Sequence, residues 1–412
     1  MKKNLLAITG VFFPHNETIT HISFKHLCEL DYNIDVVSFK GDEDKTIKKH
    51  INGCENINVK YINFDFRKIY IKIRNKNIFK ITSALIKYRK LCLECIKEKK
   101  YDILYSNSTP NYTHYFAYLV KKKLGKDIKW YASITDPICD NPYINEMKYS
   151  KRIFEKIDYI LNKYIYYKKK YQELPLKYAD KLIFISEELR DFVIGENKEL
   201  LKKSVVVPLT YVEEWNSYKN LLDTPSKFNK KKIKFVHFGN IYGLRKINVF
   251  LDAINILKKD NNMDNVEFHQ YGAVYGEALK YVNDNNLNNI FIIHKRVDYD
   301  KCVDLMKNEA DVLMVFDTIV DEDKVQPFLP SKILDYLLVG KPIFSVTTKH
   351  SPVYRMVKDK HICAMYDVND IIKCIKKQIK NIKIINNDYK QYENRKVIKN
   401  TFGKELDIKN RE

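Results

Sequence analysis

The stretch from Phe328 to Val346, FLPSKILDYLLVGKPIFSV, gathers residue types that can hold an anion and a diol. Pro330 suits a first helical turn, which needs no donor from it, and Ser331 can cap the same end. A helix N-terminus has free N–H groups that suit a phosphate, and Lys332 adds a mobile positive charge. Asp335, one turn on, is a carboxylate able to accept two hydroxyl hydrogen bonds, as from a ribose. The plain alternative is an ordinary αβ unit with a solvated Lys and Asp. A second anion-holding pattern is GNIYGLRK from Gly239, where Gly239 and Gly243 allow close backbone approach and Arg245 can fork onto phosphate oxygens. It matches neither the dinucleotide fingerprint nor a Walker loop. The third candidate is Asp136 in SITDPICDNPY, a carboxylate just past a strand end and held by Pro137; an Asp-Pro turn is its plain reading. His15 and Asn16, in the loop GVFFPHNET, are ligand candidates by position alone.

Elements that would position these residues follow from the hydrophobic pattern. Residues 4–9, 34–39, 102–105, 128–133, 180–185 and 205–207 read as buried strands alternating with helical stretches, among them 18–30 and 112–119. After a polar stretch the pattern restarts with strands at 233–238, 266–271, 290–293, 312–316 and 343–346, and with an apolar helical face from Val249 to Leu257. Alternating strands and helices predict open parallel sheets, whose ligands gather at the carboxyl ends of the strands. The expected division is 1–208, a linker at 209–232, 233–376, and a helical end at 377–412.

Composition sets the class. The 412 residues exceed one typical domain, and 45% hydrophobic content supports full cores. The 73 Lys and Arg against 52 Asp and Glu leave +21, which calls for nucleic acid, an anionic membrane or acidic substrates as partner. Residues 67–100 hold 12 basic and 2 acidic residues with apolar members at helical spacing. That segment fits a bilayer surface or a helix packed on its own domain with lysines outward. Residues 148–177, with 9 basic, 3 acidic and recurring tyrosines, have the composition of a single-strand nucleic-acid binder, but no nucleic-acid motif accompanies them. Of 8 cysteines only Cys92 and Cys95 have a CxxC spacing, and without a second pair they read as buried thiols rather than a zinc site. The start, MKKNLLAITG, reads as a first strand rather than a signal peptide. No window is apolar enough to span a bilayer, and a reducing cytoplasm is expected.

These motifs resemble the donor signature of retaining glycosyltransferases of family 4, in the branch with Pro-Ser-Lys before the helix that builds bacterial surface polysaccharides. The resemblance runs over nearly the whole chain, most specifically over 235–346. It implies an α/β chain of the GT-B fold: two Rossmann-like open-sheet domains, an acceptor domain then a donor domain, with a terminal helix crossing back. It implies a nucleotide-diphosphate sugar donor and a saccharide or lipid-linked saccharide acceptor for capsule, exopolysaccharide or O-antigen-like polymers. Donor contacts would be Gly239, Asn240, Arg245, Arg296, Pro330, Ser331, Lys332 and Asp335, with Arg296 in the HKRV segment where the family receives the base. Acceptor contacts would be His15, Asn16 and Asn141. Asp136, Arg245 and Lys332 would carry the catalysis, with no metal and no cofactor. Asp335 matches the second of the family's two acidic residues, and Pro327 stands where the first would be. Arg245 matches the second of two basic residues five apart, and Asn240 stands at the first. The expected place is cytoplasmic, peripheral on an anionic inner membrane face, without nucleic acid. A sugar-nucleotide epimerase on the same fold, a non-catalytic homologue and a nucleic-acid binder are the other classes.

Overall fold

The strand β1 (Asn4–Val11) is buried along almost its whole length, as a strand in the middle of a helix-covered parallel sheet must be. The computed structural model describes residues 2–13, 18–40, 55–64, 78–108, 111–142, 153–165, 169–222, 226–228, 231–241, 245–259, 263–320 and 323–409. Around β1 lie β2 (Asn33–Phe39), β3 (Ile57–Ile62), β4 (Ile103–Asn107), β5 (Lys129–Ile134), β6 (Lys181–Phe184) and β7 (Ser204–Val206). They form a 7-stranded sheet in the order β3-β2-β1-β4-β5-β6-β7. A second sheet holds β8 (Ile233–Phe238), β9 (Val266–Tyr271), β10 (Phe291–His294), β11 (Val312–Phe316), β12 (Ile343–Thr347) and β13 (Ile362–Met365). Its order is β10-β9-β8-β11-β12-β13. Neighbouring strands are parallel throughout both sheets. Each sheet reverses its strand order once, beside β1 and beside β8, and such a switch point is where an open α/β sheet binds ligand.

The chain divides into two compact units, Met1–Trp215 with Tyr392–Glu412, and Asn216–Gln391. Both are Rossmann-like: parallel sheets flanked by helices. Within the first unit the helix Ile78–Glu98 turns Ile81, Ala84, Tyr88, Cys92 and Cys95 inward, the spacing of one helical face. Cys92 and Cys95 are buried free thiols, and burial raises both thiols above the usual range. Cys28, by contrast, is disulfide-bonded. The chain's end returns to this unit: Asn394, on the helix Asn394–Phe402, donates to the Lys25 carbonyl at 2.9 Å, and Asp31 N donates to the Asp407 carbonyl at 2.8 Å.

Within the stretch 209–232, residues 209–222 carry defined structure. Leu209, Tyr211, Val212, Trp215 and Leu221 are buried, and the helix Asn216–Leu222 belongs to the second unit. That unit's core is aromatic. Phe250 packs edge-on against Phe268 and Phe316 with centroids 5.3 and 4.9 Å apart, and Phe235 against Phe344 at 5.9 Å. This rigid floor fixes the carboxyl ends of β8, β9 and β11.

Candidate functional site

At the end of β8 the chain leaves the sheet through Gly239, whose φ of +114° is open to glycine and strained for other residues. A Cβ there would lie 2.9 Å from the Lys332 ammonium nitrogen. Gly272, past β9 with φ +133°, packs as tightly, since a Cβ on it would meet the Gly239 carbonyl oxygen at 2.7 Å. Asn240 bridges the two loops: its Oδ1 accepts from Ala273 N at 3.0 Å. Its side-chain oxygen is therefore committed to loop structure.

Opposite this turn the helix Lys332–Val339 begins. Ile333, Leu334, Leu337 and Leu338 are buried, as their spacing predicts, and the helix stops at Gly340 in the left-handed conformation, φ +73°. Pro330 is buried and its carbonyl accepts from Ile333 N at 3.1 Å. The expected cap is not formed. Ser331 has helical dihedrals, φ −58° and ψ −31°, and its side chain makes no cap hydrogen bond, because a side-chain cap needs an extended residue. Ser186 supplies the contrast, extended at φ −152° and ψ 161° and accepting from Leu189 N.

Lys332 reaches back from this helix to β8. Its Nζ lies 2.8 Å from His237 Nε2. His237 Nδ1 lies 2.6 Å from Gln270 Oε1, and Gln270 Nε2 donates to the Gly239 carbonyl at 2.6 Å. By its own surface Lys332 is only half-buried. Protein nevertheless crowds the ammonium, and loss of hydration pushes it well below the usual lysine range, with the Arg245 guanidinium adding repulsion. Arg245 also acts on His237, whose burial first and Lys332 second keep it neutral. Two cations thus stand close together at the start of a helix, an arrangement that a bound polyanion would relieve.

Asp335, one turn into the helix, accepts from the Tyr299 hydroxyl at 3.4 Å. Cys302 sits among the candidate groups. Burial pushes its thiol up to about 11, Asp335 and Asp298 add to that, and Arg296 and Lys332 oppose it. Arg296 itself is exposed. The fold therefore brings Gly239, Arg245, Arg296, Lys332 and Asp335 to one region of the second unit. The polar loop before the helix hangs on Asp317, a buried carboxylate that burial raises to about 6. It accepts from Thr347 Oγ1 and Thr318 N, each at 2.8 Å, and from Gln326, which in turn accepts from Phe328 N. No group of three metal-ligating side chains occurs among the described residues. His237, Gln270 and Cys302 carry no signal in sequence beyond sitting on or beside apolar strands and helices.

In the first unit the loop after β5 is pinned at three points. Thr135 N donates to Ser108 Oγ at 2.9 Å, Gln172 Oε1 accepts from Ile138 N and Cys139 N at 3.1 and 3.0 Å, and Asn141 Nδ2 donates to the Pro137 carbonyl at 2.8 Å. Asn141 is nearly buried and so acts as a latch on the loop. Asp136 is exposed, yet the protein around it raises its carboxyl to about 7. His15, Asn16 and Gly243 lie outside the described residues.

No known protein-family model matches the chain, and no curated protein sequence matches it. Solved structures do. A sucrose-phosphate synthase from Thermosynechococcus elongatus superposes with TM-score 0.60 at 11% identity, covering 97% of this chain and 95% of that one. A lipopolysaccharide outer core galactosyltransferase in its apo form gives 0.61 at 15% identity, covering 96% and 97%. An E. coli trehalose-6-phosphate structure bound with UDP-2-fluoro glucose gives 0.58 at 10% identity, covering 98% and 96%. At such identities the likeness defines the fold: the chain has the GT-B fold along its length.

Proposed function

We propose that this protein is a retaining glycosyltransferase of the family-4 type, moving a sugar from a nucleotide-diphosphate sugar to a saccharide or lipid-linked saccharide acceptor of a bacterial surface polymer. The observation that carries this reading is the Lys332 ammonium held against Gly239, with Arg245 beside it, at a helix start on a topological switch point. As the glycosidic bond breaks, the leaving diphosphate gains charge. Lys332, Arg245 and the positive end of the helix that starts at Lys332 would stabilise that charge without reorganising. Asp335 would take the ribose hydroxyls, and Arg296 would lie on the base side. The fold likeness to a structure bound with UDP-2-fluoro glucose supports a nucleotide-sugar ligand. In the first unit Asp136, on its pinned loop, would position the acceptor hydroxyl or stabilise positive character on the sugar, and His15, Asn16 and Asn141 would border the acceptor.

Transfer and donor hydrolysis assayed with a panel of sugar nucleotides test the reading. The wild type should release nucleoside diphosphate from at least one of them. Arg245→Ala and Lys332→Ala should each lower the rate by roughly a hundredfold, the scale of removing one preorganised donor. Unchanged transfer in both variants would sink the phosphate-clamp assignment.

A further inference from the structure

His237 is a fully buried histidine on β8, two residues before the candidate phosphate turn, and nothing in its sequence surroundings marks it. The parallel register sets it directly opposite Gln270 on β9, and Gln270 is as deeply buried. The hydrogen-bond pattern between them has one self-consistent solution. Gln270 Nε2 faces two backbone carbonyls, Gly239 O at 2.6 Å and Gly272 O at 3.4 Å. Carbonyls only accept, so this end of the amide is the NH₂. Its other end, Oε1, is then an acceptor, and the His237 Nδ1 that faces it must carry the proton. That leaves a lone pair on His237 Nε2, which points at a lysine that can only donate.

We infer that His237 and Gln270 are positioning residues for Lys332, an uncharged relay that aims its ammonium at the diphosphate of the ligand without cancelling its charge. The inference rests on the nucleotide-sugar reading above for the identity of that ligand. A carboxylate in place of His237 would hold the lysine as firmly but would neutralise it and compete with phosphate. An apolar residue would leave it unaimed and harder to keep charged. A neutral imidazole in a fixed tautomer orients one N–H and leaves the others of the ammonium for the anion. Gln270 also ties the relay to the backbone that the anion would approach, since its amide donates to Gly239 O. The absence of a Cβ at Gly239 is what lets the lysine nitrogen occupy its place.

The test has two readouts on the full-length protein. The first is the titration of the Lys332 ε-carbon by NMR with ¹³C-lysine, assigned with Lys332→Arg. The Arg245 guanidinium and the titratable Cys302 thiol also act on this lysine, and both are left intact. In His237→Phe, which fills the space but has no lone pair, the ammonium should titrate about one pH unit below its wild-type midpoint, the scale of a lost charge-assisted hydrogen bond. In His237→Gln, whose Oε1 restores an acceptor, it should stay near wild type. Gln270→Met, which keeps the imidazole and frees its tautomer, should shift it in the same direction as Phe by a smaller step. The second readout is calorimetric affinity for UDP, GDP and ADP, which should fall roughly tenfold in His237→Phe and recover in His237→Gln. Thermal melts verify that each variant is folded. An unmoved Lys332 midpoint in both His237→Phe and Gln270→Met overturns the relay, as does a His237→Gln variant no better than Phe. If the midpoint moves as stated while the wild type binds none of the three nucleotides, the relay stands and the nucleotide-sugar reading falls.

Discussion

Asp136 poses a question of protonation. Its carboxyl is raised to about 7 by desolvation, so it ionises over the range where an enzyme is ordinarily assayed. If the ionised form serves the acceptor or the sugar, transfer should rise with pH through about 7 and level off. Asp136→Asn should lose that rise and fall by roughly a hundredfold or more. The stability effect runs the other way. A carboxyl whose folded pKa lies above its unfolded value favours folding while protonated, and that contribution is lost as pH climbs from about 4 to about 7. The Asn variant should therefore melt higher, relative to wild type, at pH 8 than at pH 4. A pH–rate profile unchanged in shape by the substitution would remove Asp136 from the chemistry. At this scale the sequence speaks through residue types that carry charge: Arg245, Lys332, Asp335 and Asp136 stand out by type and by their place after strands. Asn240 shows the limit of that approach. Its side-chain oxygen accepts from Ala273 N and ties two loops together, a role that residue type does not announce. His237 and Gln270 show the converse. Their roles come from a cross-strand register that no local pattern encodes.

At the scale of elements, long apolar strands and the helix before Gly340 follow from periodicity, because central parallel strands and a buried helical face have few alternatives. Two edge strands do not. β3 (INVKYI) is only partly buried and mixes Lys and Asn among its apolar residues, and β13 has four residues. At an edge one side of the strand has no neighbour to demand apolar continuity. The absent Ser331 cap is a failure of another kind, since residue preference says nothing of whether the preceding backbone has already entered the helix. Gly340 offers an element-scale prediction. Its φ is +73°, and a Cβ would meet the Ile385 carbonyl oxygen at 3.2 Å, while Ile385 N donates to the Gly340 carbonyl at 2.7 Å. Gly340→Ala should destabilise the protein by about 1–2 kcal/mol from the left-handed backbone and the tight contact. That corresponds to a drop of roughly 2–6 °C in melting temperature. An unchanged melt would mean that the helix end can relax without cost.

For the whole molecule the outstanding quantity is its charge, +21. No helix among the described residues is long and apolar enough to cross a membrane. Within the first unit, however, two helices leave large apolar side chains in water among basic ones. On Ile78–Glu98 these are Phe79 at 85% and Ile86 at 63% exposure, beside exposed Lys80, Lys87, Arg89 and Lys90. On Ile153–Ile165 they are Ile153 at 68% and Ile160 at 50%, with exposed Lys156 and Lys163. The first helix thus packs one face on its own unit while the other remains apolar and cationic; residues 67–77 of the basic segment lie outside the described residues. Such a face fits docking on an anionic bilayer, where each near-surface lysine adds on the order of 1 kcal/mol and each inserted large apolar side chain about 1.5–3 kcal/mol. The sum suffices for reversible attachment, which is what an enzyme serving a lipid-linked acceptor would need. Co-sedimentation with anionic and with neutral vesicles, at low and high salt, measures it. The wild type should pellet with anionic vesicles at low salt and be released by high salt, since exposed charges are screened within about a Debye length. Phe79→Ser with Ile86→Ser, which keeps every charge, should weaken vesicle affinity by roughly a hundredfold or more while leaving nucleotide affinity unchanged. Equal, negligible pelleting in all four conditions would defeat the docking claim and leave the transferase reading untouched; retention of full pelleting in the double variant would show that charge alone does the work and that the exposed Phe79 and Ile86 face another partner.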